Sequence, residues 1–269
     1  MGGYLSFRAD LNDPALVAAY DEMPLWSATA GLLLFEHLPI ASGIHALDVG
    51  CGTGFPAIEL AERLGPSSRV RGLDPWAAAL DRARGKARLR GVAHVVFDEG
   101  DAAKMPYGDG IFDLIVSNLG LNNFNDAEAA VAECRRVLKP GGRLALSTNL
   151  VGHMTEFYEV LRRVLAETGA EREPGLLQRH IEARATVAGI SDLMARNGLQ
   201  VVRTERRDHT MTYADGAALL NHWFIRLGFL GGWRSMVAPS REGEVFARLE
   251  AALPKPLRLS VPFAYVEAT

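Results

Sequence analysis

Three glycines at alternate positions, Gly50, Gly52 and Gly54, stand in the segment Ala46-Leu47-Asp48-Val49-Gly50-Cys51-Gly52-Thr53-Gly54-Phe55. A β-like run ends there and a helical pattern begins. Glycine supplies a turn that other residues adopt only under strain, and without a Cβ it lets a ligand approach the backbone. The unbonded amides at the start of the helix are donors for a polar ligand. By itself such a turn is also what a tight strand-to-helix connection requires. Asp74 adds to it, because it ends the next β-like run, where doubly wound nucleotide folds place a carboxylate that accepts bonds from ribose hydroxyls. The pair points to a ribose-bearing ligand. A dinucleotide motif would read G-x-G-x-x-G, whereas Phe55 stands where its third glycine belongs, so NAD is the second choice.

The elements around these residues read as βαβ units. Apolar runs over 44–49, 69–73, 94–97, 112–117 and 143–148 are each bounded by Gly, Asp, Asn or Pro and alternate with helical patterns, the signature of a parallel sheet. A helix over 56–64 has Pro56 in its first turn and Gly65 beyond its end. Asp126 is placed to cap another, in which Val131, Cys134 and Leu138 recur at helical spacing until Lys139-Pro140-Gly141-Gly142 stops it. Further on, helical patterns cover 154–167, 190–196, 215–227 and 241–253, and strands are expected over 200–205 and 257–266. Pro262 removes a ladder donor from the last strand and suggests an edge position or a bulge. The expected fold class is α/β, a Rossmann-like, doubly wound, mostly parallel seven-stranded sheet with helical cap additions. As one domain over 1–269 it divides into an N-terminal helical cap (1–43), a nucleotide-binding core (44–148), a completing segment (149–209), a helical insertion or lid (210–256) and a terminal strand (257–269).

Composition narrows the function. The 269 residues are 48% hydrophobic and 23% charged, with 29 Lys and Arg against 32 Asp and Glu, a net charge of −3. No cationic surplus exists for a nucleic acid backbone. Arg82, Arg84, Lys86, Arg88 and Arg90 read as a solvated helix face whose acidic partners lie elsewhere. Two cysteines, Cys51 and Cys134, build neither a disulfide framework nor a cysteine zinc site, and no metal site is expected. Without an apolar stretch near the roughly 20 residues of a membrane span, the protein is expected to be cytoplasmic, with no membrane partner. The start Met1-Gly2-Gly3-Tyr4-Leu5-Ser6 fits a loose myristoylation pattern and is read as chance.

Leu47-Asp48-Val49-Gly50-Cys51-Gly52-Thr53-Gly54 resembles the first motif of the class I S-adenosylmethionine-dependent methyltransferases, with Asp74 matching their ribose-binding acid. Three further matches follow in the family's order: Gly100-Asp101-Ala102, Phe112-Asp113-Leu114-Ile115-Val116-Ser117-Asn118, and Arg136-Val137-Leu138-Lys139-Pro140-Gly141-Gly142. The resemblance covers about residues 40–150. It implies S-adenosylmethionine as cofactor and S-adenosylhomocysteine as product. Gly50, Cys51, Gly52 and Gly54 would contact the amino acid end, with Asp48 supporting the loop or the ammonium group. Asp74, beside Pro75, would hold the ribose. Asp101 and Ala102 would face the adenine, with Trp76 on its other side, and Asn118, followed by Leu119, would present a backbone carbonyl near the ammonium group. Each has a plainer alternative: Asp74 and Asn118 as caps, Trp76 as cover for its helix, Cys51 as a small buried residue.

Methyl transfer from a sulfonium is an in-line displacement, so alignment and exclusion of water are the protein's main tasks. A hydroxyl acceptor adds the need for a base. His153, His209 and His222 are candidates, each with a structural alternative. The acceptor is expected to be a small molecule enclosed by two additions, the N-terminal segment with Tyr20, Met23, Trp26 and Leu33, and residues 210–256 with Tyr213, Asn221, His222, Trp223, Phe224 and Phe229. Ser117-Asn118-Leu119-Gly120 is not the Asn/Asp-Pro-Pro-aromatic run of enzymes that methylate DNA amino groups. An NAD-dependent oxidoreductase and a methyltransferase-like domain that binds without catalysis are the alternatives. The acceptor, the atom methylated and the oligomeric state are not legible.

Overall fold

The computed structural model describes residues 3–23 and 25–269; Met1 and Gly2 of the myristoylation pattern lie outside the described residues. The chain separates into two compact units. A core unit comprises Leu11–Asn149, Ala185–Arg207 and Phe263–Thr269, and a second unit comprises the residues up to Asp10, Leu150–Arg184 and Asp208–Pro262.

The chain forms one sheet of seven strands: β1 (His45–Val49), β2 (Arg69–Asp74), β3 (Val95–Glu99), β4 (Phe112–Asn118) and β5 (Leu138–Asn149), all in the core unit, and β6 (Val201–Tyr213) and β7 (Leu257–Ala268), which belong to it up to Arg207 and from Phe263. Their spatial order is β3-β2-β1-β4-β5-β7-β6. The pairs from β3 to β5 are parallel and β5 with β7 is antiparallel. Parallel strands covered on both faces should be apolar throughout. Apart from Asp48, the central stretches of β1 and β4 are, with Ala46, Leu47, Val49, Leu114, Ile115 and Val116 at most 2% exposed. The chain runs outward from β1 through β2 to β3, then returns to β4 on the other side. That reversal leaves a crevice at the carboxyl ends of β1 and β4, the place where open α/β sheets bind ligands.

The helix ends follow the expected chemistry. Pro56 lies in the first turn of Phe55–Leu64, and Gly65 closes it at φ 76°. Asp126 accepts from the Ala129 amide at 2.9 Å and caps Ala127–Val137.

Four expectations are corrected. Lys139–Gly142 does not separate helix from strand but lies inside β5: Leu138 pairs with Phe112, Arg143 with Leu114, and the residues between bulge out, with Gly141 at φ 76°. Pro262 does not mark an edge strand, because β7 lies between β5 and β6. Its pairing with β5 begins one residue later, at Phe263, so the missing donor falls just beyond that ladder. β6 runs on to Tyr213, so the expected insertion loses its first residues, 210–213, to a strand. The helix expected over 215–227 is two, Gly216–Asn221 and Trp223–Gly228, because His222 is extended at φ −61°, ψ 129°.

Candidate functional site

The glycine turn leaves β1 with Gly50, Gly52 and Gly54 at φ 76°, 51° and 86°, the left-handed region that L side chains seldom adopt. Their surroundings differ. A Cβ on Gly52 would meet nothing within 4 Å, so the turn is open there, whereas one on Gly54 would lie 2.7 Å from the Ala83 Cβ and 3.1 Å from the Phe97 ring. Gly54 is thus required for packing and Gly52 for conformation with open space beside it. Gly54→Ala is expected to cost about 2 to 4 kcal/mol through strained backbone and overpacking, read as a lowered denaturant midpoint.

Asp74, at the end of β2, braces this turn. Its Oδ2 accepts from the Gly52 amide at 2.8 Å and its Oδ1 from the Trp76 amide at 2.9 Å. It therefore does turn the chain into the next helix, and it also ties that corner to the glycine loop. Each oxygen keeps a second lone pair for another donor. Burial raises the pKa of Asp74 above the usual carboxylate range, and the Trp76 and Gly52 amides draw it back. Pro75 is exposed and Trp76 half-buried.

Beneath the turn Asp48 is 0% exposed, and neither carboxylate oxygen has a hydrogen-bond partner in the protein. Burial first, and the nearby Asp74 second, push its pKa up to about 8; the Ala57 amide, whose geometry falls short of a hydrogen bond, opposes them only weakly. A carboxyl held like this has its charge unmet.

The end of β4 completes the crevice. Ser117 donates to the Val49 carbonyl at 2.7 Å, tying β4 to β1. Asn118 accepts from Ser147 at 2.6 Å and donates to the Ser27 carbonyl at 2.9 Å, which commits its side chain to the scaffold. Leu119 follows at φ 64°, one of two described non-glycine residues with positive φ. Such strain persists only where surrounding structure enforces it, and it concentrates at functional sites. Asp101 is exposed, with its Oδ1 accepting from the Ala103 amide at 2.9 Å, and Ala102 is 8% exposed. Burial pushes the Cys51 thiol well above its ordinary range, which fits a packed residue and not a nucleophile.

The N-terminal segment lies against these groups. Tyr20 packs edge-on to Trp76 with ring centroids 5.4 Å apart, and the Trp76 indole N–H donates to the Leu11 carbonyl at 2.7 Å. Burial, then the charges of Asp74 and Asp21, raises the Tyr20 pKa. Asp21 pairs with Arg82 at 2.9 Å and with Lys86; although burial works against it, bonds from Lys86, Arg82 and Thr53 hold its carboxyl below the usual range. Arg84 pairs with Asp81 and Arg90 with Glu62, so four cations of the basic helix face have carboxylate partners. Asp21 carries no motif and joins the site only through the fold, where Thr53 of the glycine turn bonds to it. Trp26 is 8% exposed and packs on Phe263 with centroids 6.0 Å apart.

In the second unit, His153 is 2% exposed, and burial, then Arg184 and His180, lower its pKa to about 3, a poor proton acceptor. His209 is exposed on β6. Tyr213 packs edge-on to His222 with centroids 5.4 Å apart, and Trp223 begins the following helix. Among the described residues no group of three or more His, Cys, Asp or Glu is placed to hold a metal ion, and no helix is long and apolar enough to cross a membrane.

A parallel sheet with this strand order, a left-handed glycine turn after β1 and an acid ending β2 define a Rossmann-like nucleotide-binding fold. Residues 40–190 match the model of the family described as methyltransferase domain. The chain is 40% identical over 113 residues to a demethylmenaquinone methyltransferase of Lactobacillus johnsonii, covering 42% of this chain and 46% of that one. It is 31% identical over 173 residues to that of Listeria monocytogenes, covering 61% and 73%. The chain spans about half the length of the first curated relatives it matches. Among solved structures, the YcgJ protein of Bacillus subtilis superposes with a TM-score of 0.61 at 21% identity, covering 90% of this chain and 97% of that one. The chain belongs to the class I S-adenosylmethionine-dependent methyltransferase family.

Proposed function

We propose that this chain transfers a methyl group from S-adenosylmethionine to a small organic acceptor. The observation that carries the reading is the fully buried Asp48 carboxyl, without a hydrogen-bond partner, beneath a turn that is open at Gly52. A cationic ammonium group meets that need, and the two remaining lone pairs of Asp74 suit ribose hydroxyls. The residues therefore fit the donor. Gly50 to Gly54 and Asp48 would hold its amino acid end, Asp74 its ribose, Asp101, Ala102 and Trp76 its adenine, and the backbone at Asn118 and Leu119 would border its ammonium group. When bound, S-adenosylmethionine supplies an electrophilic methyl group on a sulfonium.

What remains for the chain is alignment, exclusion of water and any proton transfer. Alignment comes from rigid parts: the strand ends of β1, β2 and β4, locked by the Ser117, Asn118 and Asp74 bonds. Tyr20 and Trp76 supply apolar surface beside the ribose acid. His153, with a pKa near 3, holds no proton at neutral pH and takes one up poorly, and burial lowers that of His222 as well. NAD is disfavoured because the space a third motif glycine would open is filled: Phe55 occupies that position, and Gly54 already packs on Ala83 and Phe97.

The test is transfer of radiolabelled methyl from S-adenosylmethionine into acid-stable product. A panel of small aromatic and aliphatic amines, phenols, quinols and carboxylates is expected to yield label in at least one class, with none in DNA or tRNA. Label only in nucleic acid would overturn the small-molecule reading. Label in no substrate beside normal donor binding would favour the non-catalytic alternative.

A further inference from the structure

In the second unit, three hydrogen-bonding atoms are buried without a partner in the protein: Tyr213 Oη, Trp223 Nε1 and Arg226 Nε. They belong to one cluster. Tyr213 packs on His222, the residue before Trp223, and the Arg226 amide donates to the His222 carbonyl at 3.0 Å, one turn along. The Arg226 guanidinium lies 5.0 Å from the Trp223 ring and 5.0 Å from that of Phe7, and Phe7 meets Trp223 edge-on at 5.1 Å. Each buried donor without an acceptor costs about 1 to 3 kcal/mol, and folded proteins leave few of them.

All three atoms can donate: an indole N–H and a guanidinium do nothing else, and the Tyr213 phenol, its pKa raised to about 12 by burial, is protonated at neutral pH. All three call for acceptor oxygens. Arg226 also carries a charge that no carboxylate of the described residues pairs with. A carboxylate would supply acceptor oxygens and a counter-charge together. The side chains around these atoms are flat: Phe7, Tyr213, His222 and Trp223 are all ring systems.

We propose that this cluster binds a planar organic anion, such as an aromatic carboxylate, with its oxygens on Tyr213 Oη, Trp223 Nε1 and Arg226 Nε. Anion binding by this cluster is independent of the methyltransferase reading.

The full chain is titrated by calorimetry with 4-hydroxybenzoate, 2-naphthoate and anthracene-2-carboxylate, each against the corresponding neutral arylmethanol, with and without S-adenosylhomocysteine. At least one carboxylate is expected to bind at least tenfold more tightly than its alcohol. Arg226→Gln and Tyr213→Phe should each weaken that binding fivefold or more, with S-adenosylhomocysteine affinity unchanged; Trp223→Phe removes the third donor while keeping a ring. The proposal is overturned if no carboxylate binds, if the alcohols bind equally well, or if folded variants bind the carboxylate as the parent does. Carboxylate binding without S-adenosylhomocysteine binding would leave the anion site standing and remove the methyltransferase reading.

Discussion

Asp48→Asn is expected to raise the stability of the ligand-free protein at pH 8 by about 2 to 4 kcal/mol and to change it little at pH 4. The carboxyl is fully buried, near Asp74, with its pKa pushed up to about 8. Between an ordinary carboxylate pKa and that value the folded protein holds a proton that the unfolded chain has released. Stability therefore declines as pH rises from about 4 to about 8 and levels off above, once both states are ionised. Asparagine removes the titration and the repulsion from Asp74. The same substitution should weaken S-adenosylhomocysteine at least tenfold, because the ammonium group loses its counter-charge. Denaturant midpoints of both proteins from pH 4 to pH 9 check the stability effect. A variant no more stable at pH 8, or a difference independent of pH, would show that Asp48 is satisfied in the free protein.

Asp74→Ala is expected to weaken S-adenosylhomocysteine by about 1.5 to 3 kcal/mol, the range for hydrogen bonds to a charged group. Stability should fall too, since the Gly52 and Trp76 amides lose their acceptor. Calorimetry on a variant shown to be folded by near-ultraviolet circular dichroism separates the effects. Unchanged affinity would mean that Asp74 only braces the turn.

Every strand of the sheet was legible in the sequence, because short apolar runs punctuated by Gly, Asp and Asn are set locally. The features that were not depend on partners distant in sequence. Pro262 reads as an edge residue until β6 is seen to cover β7 on its far side. Lys139–Gly142 reads as a break, yet Leu138 finds Phe112 across the sheet and keeps the strand going through a bulge. In the site, the motifs located Asp48 and Asp74 but not the lack of any partner for Asp48, which follows from its burial. The contacts of Asp21 with Lys86 and Thr53, and of Phe7 with Trp223 and Arg226, join residues that no spacing rule connects.

The most direct test of the donor site is isothermal titration of the full chain with S-adenosylhomocysteine and, separately, with NAD. Saturable binding of S-adenosylhomocysteine at a 1:1 ratio, at least tenfold tighter than NAD, is the expected result. No heat and no thermal shift with S-adenosylhomocysteine at millimolar concentration, or preference for NAD, would contradict it.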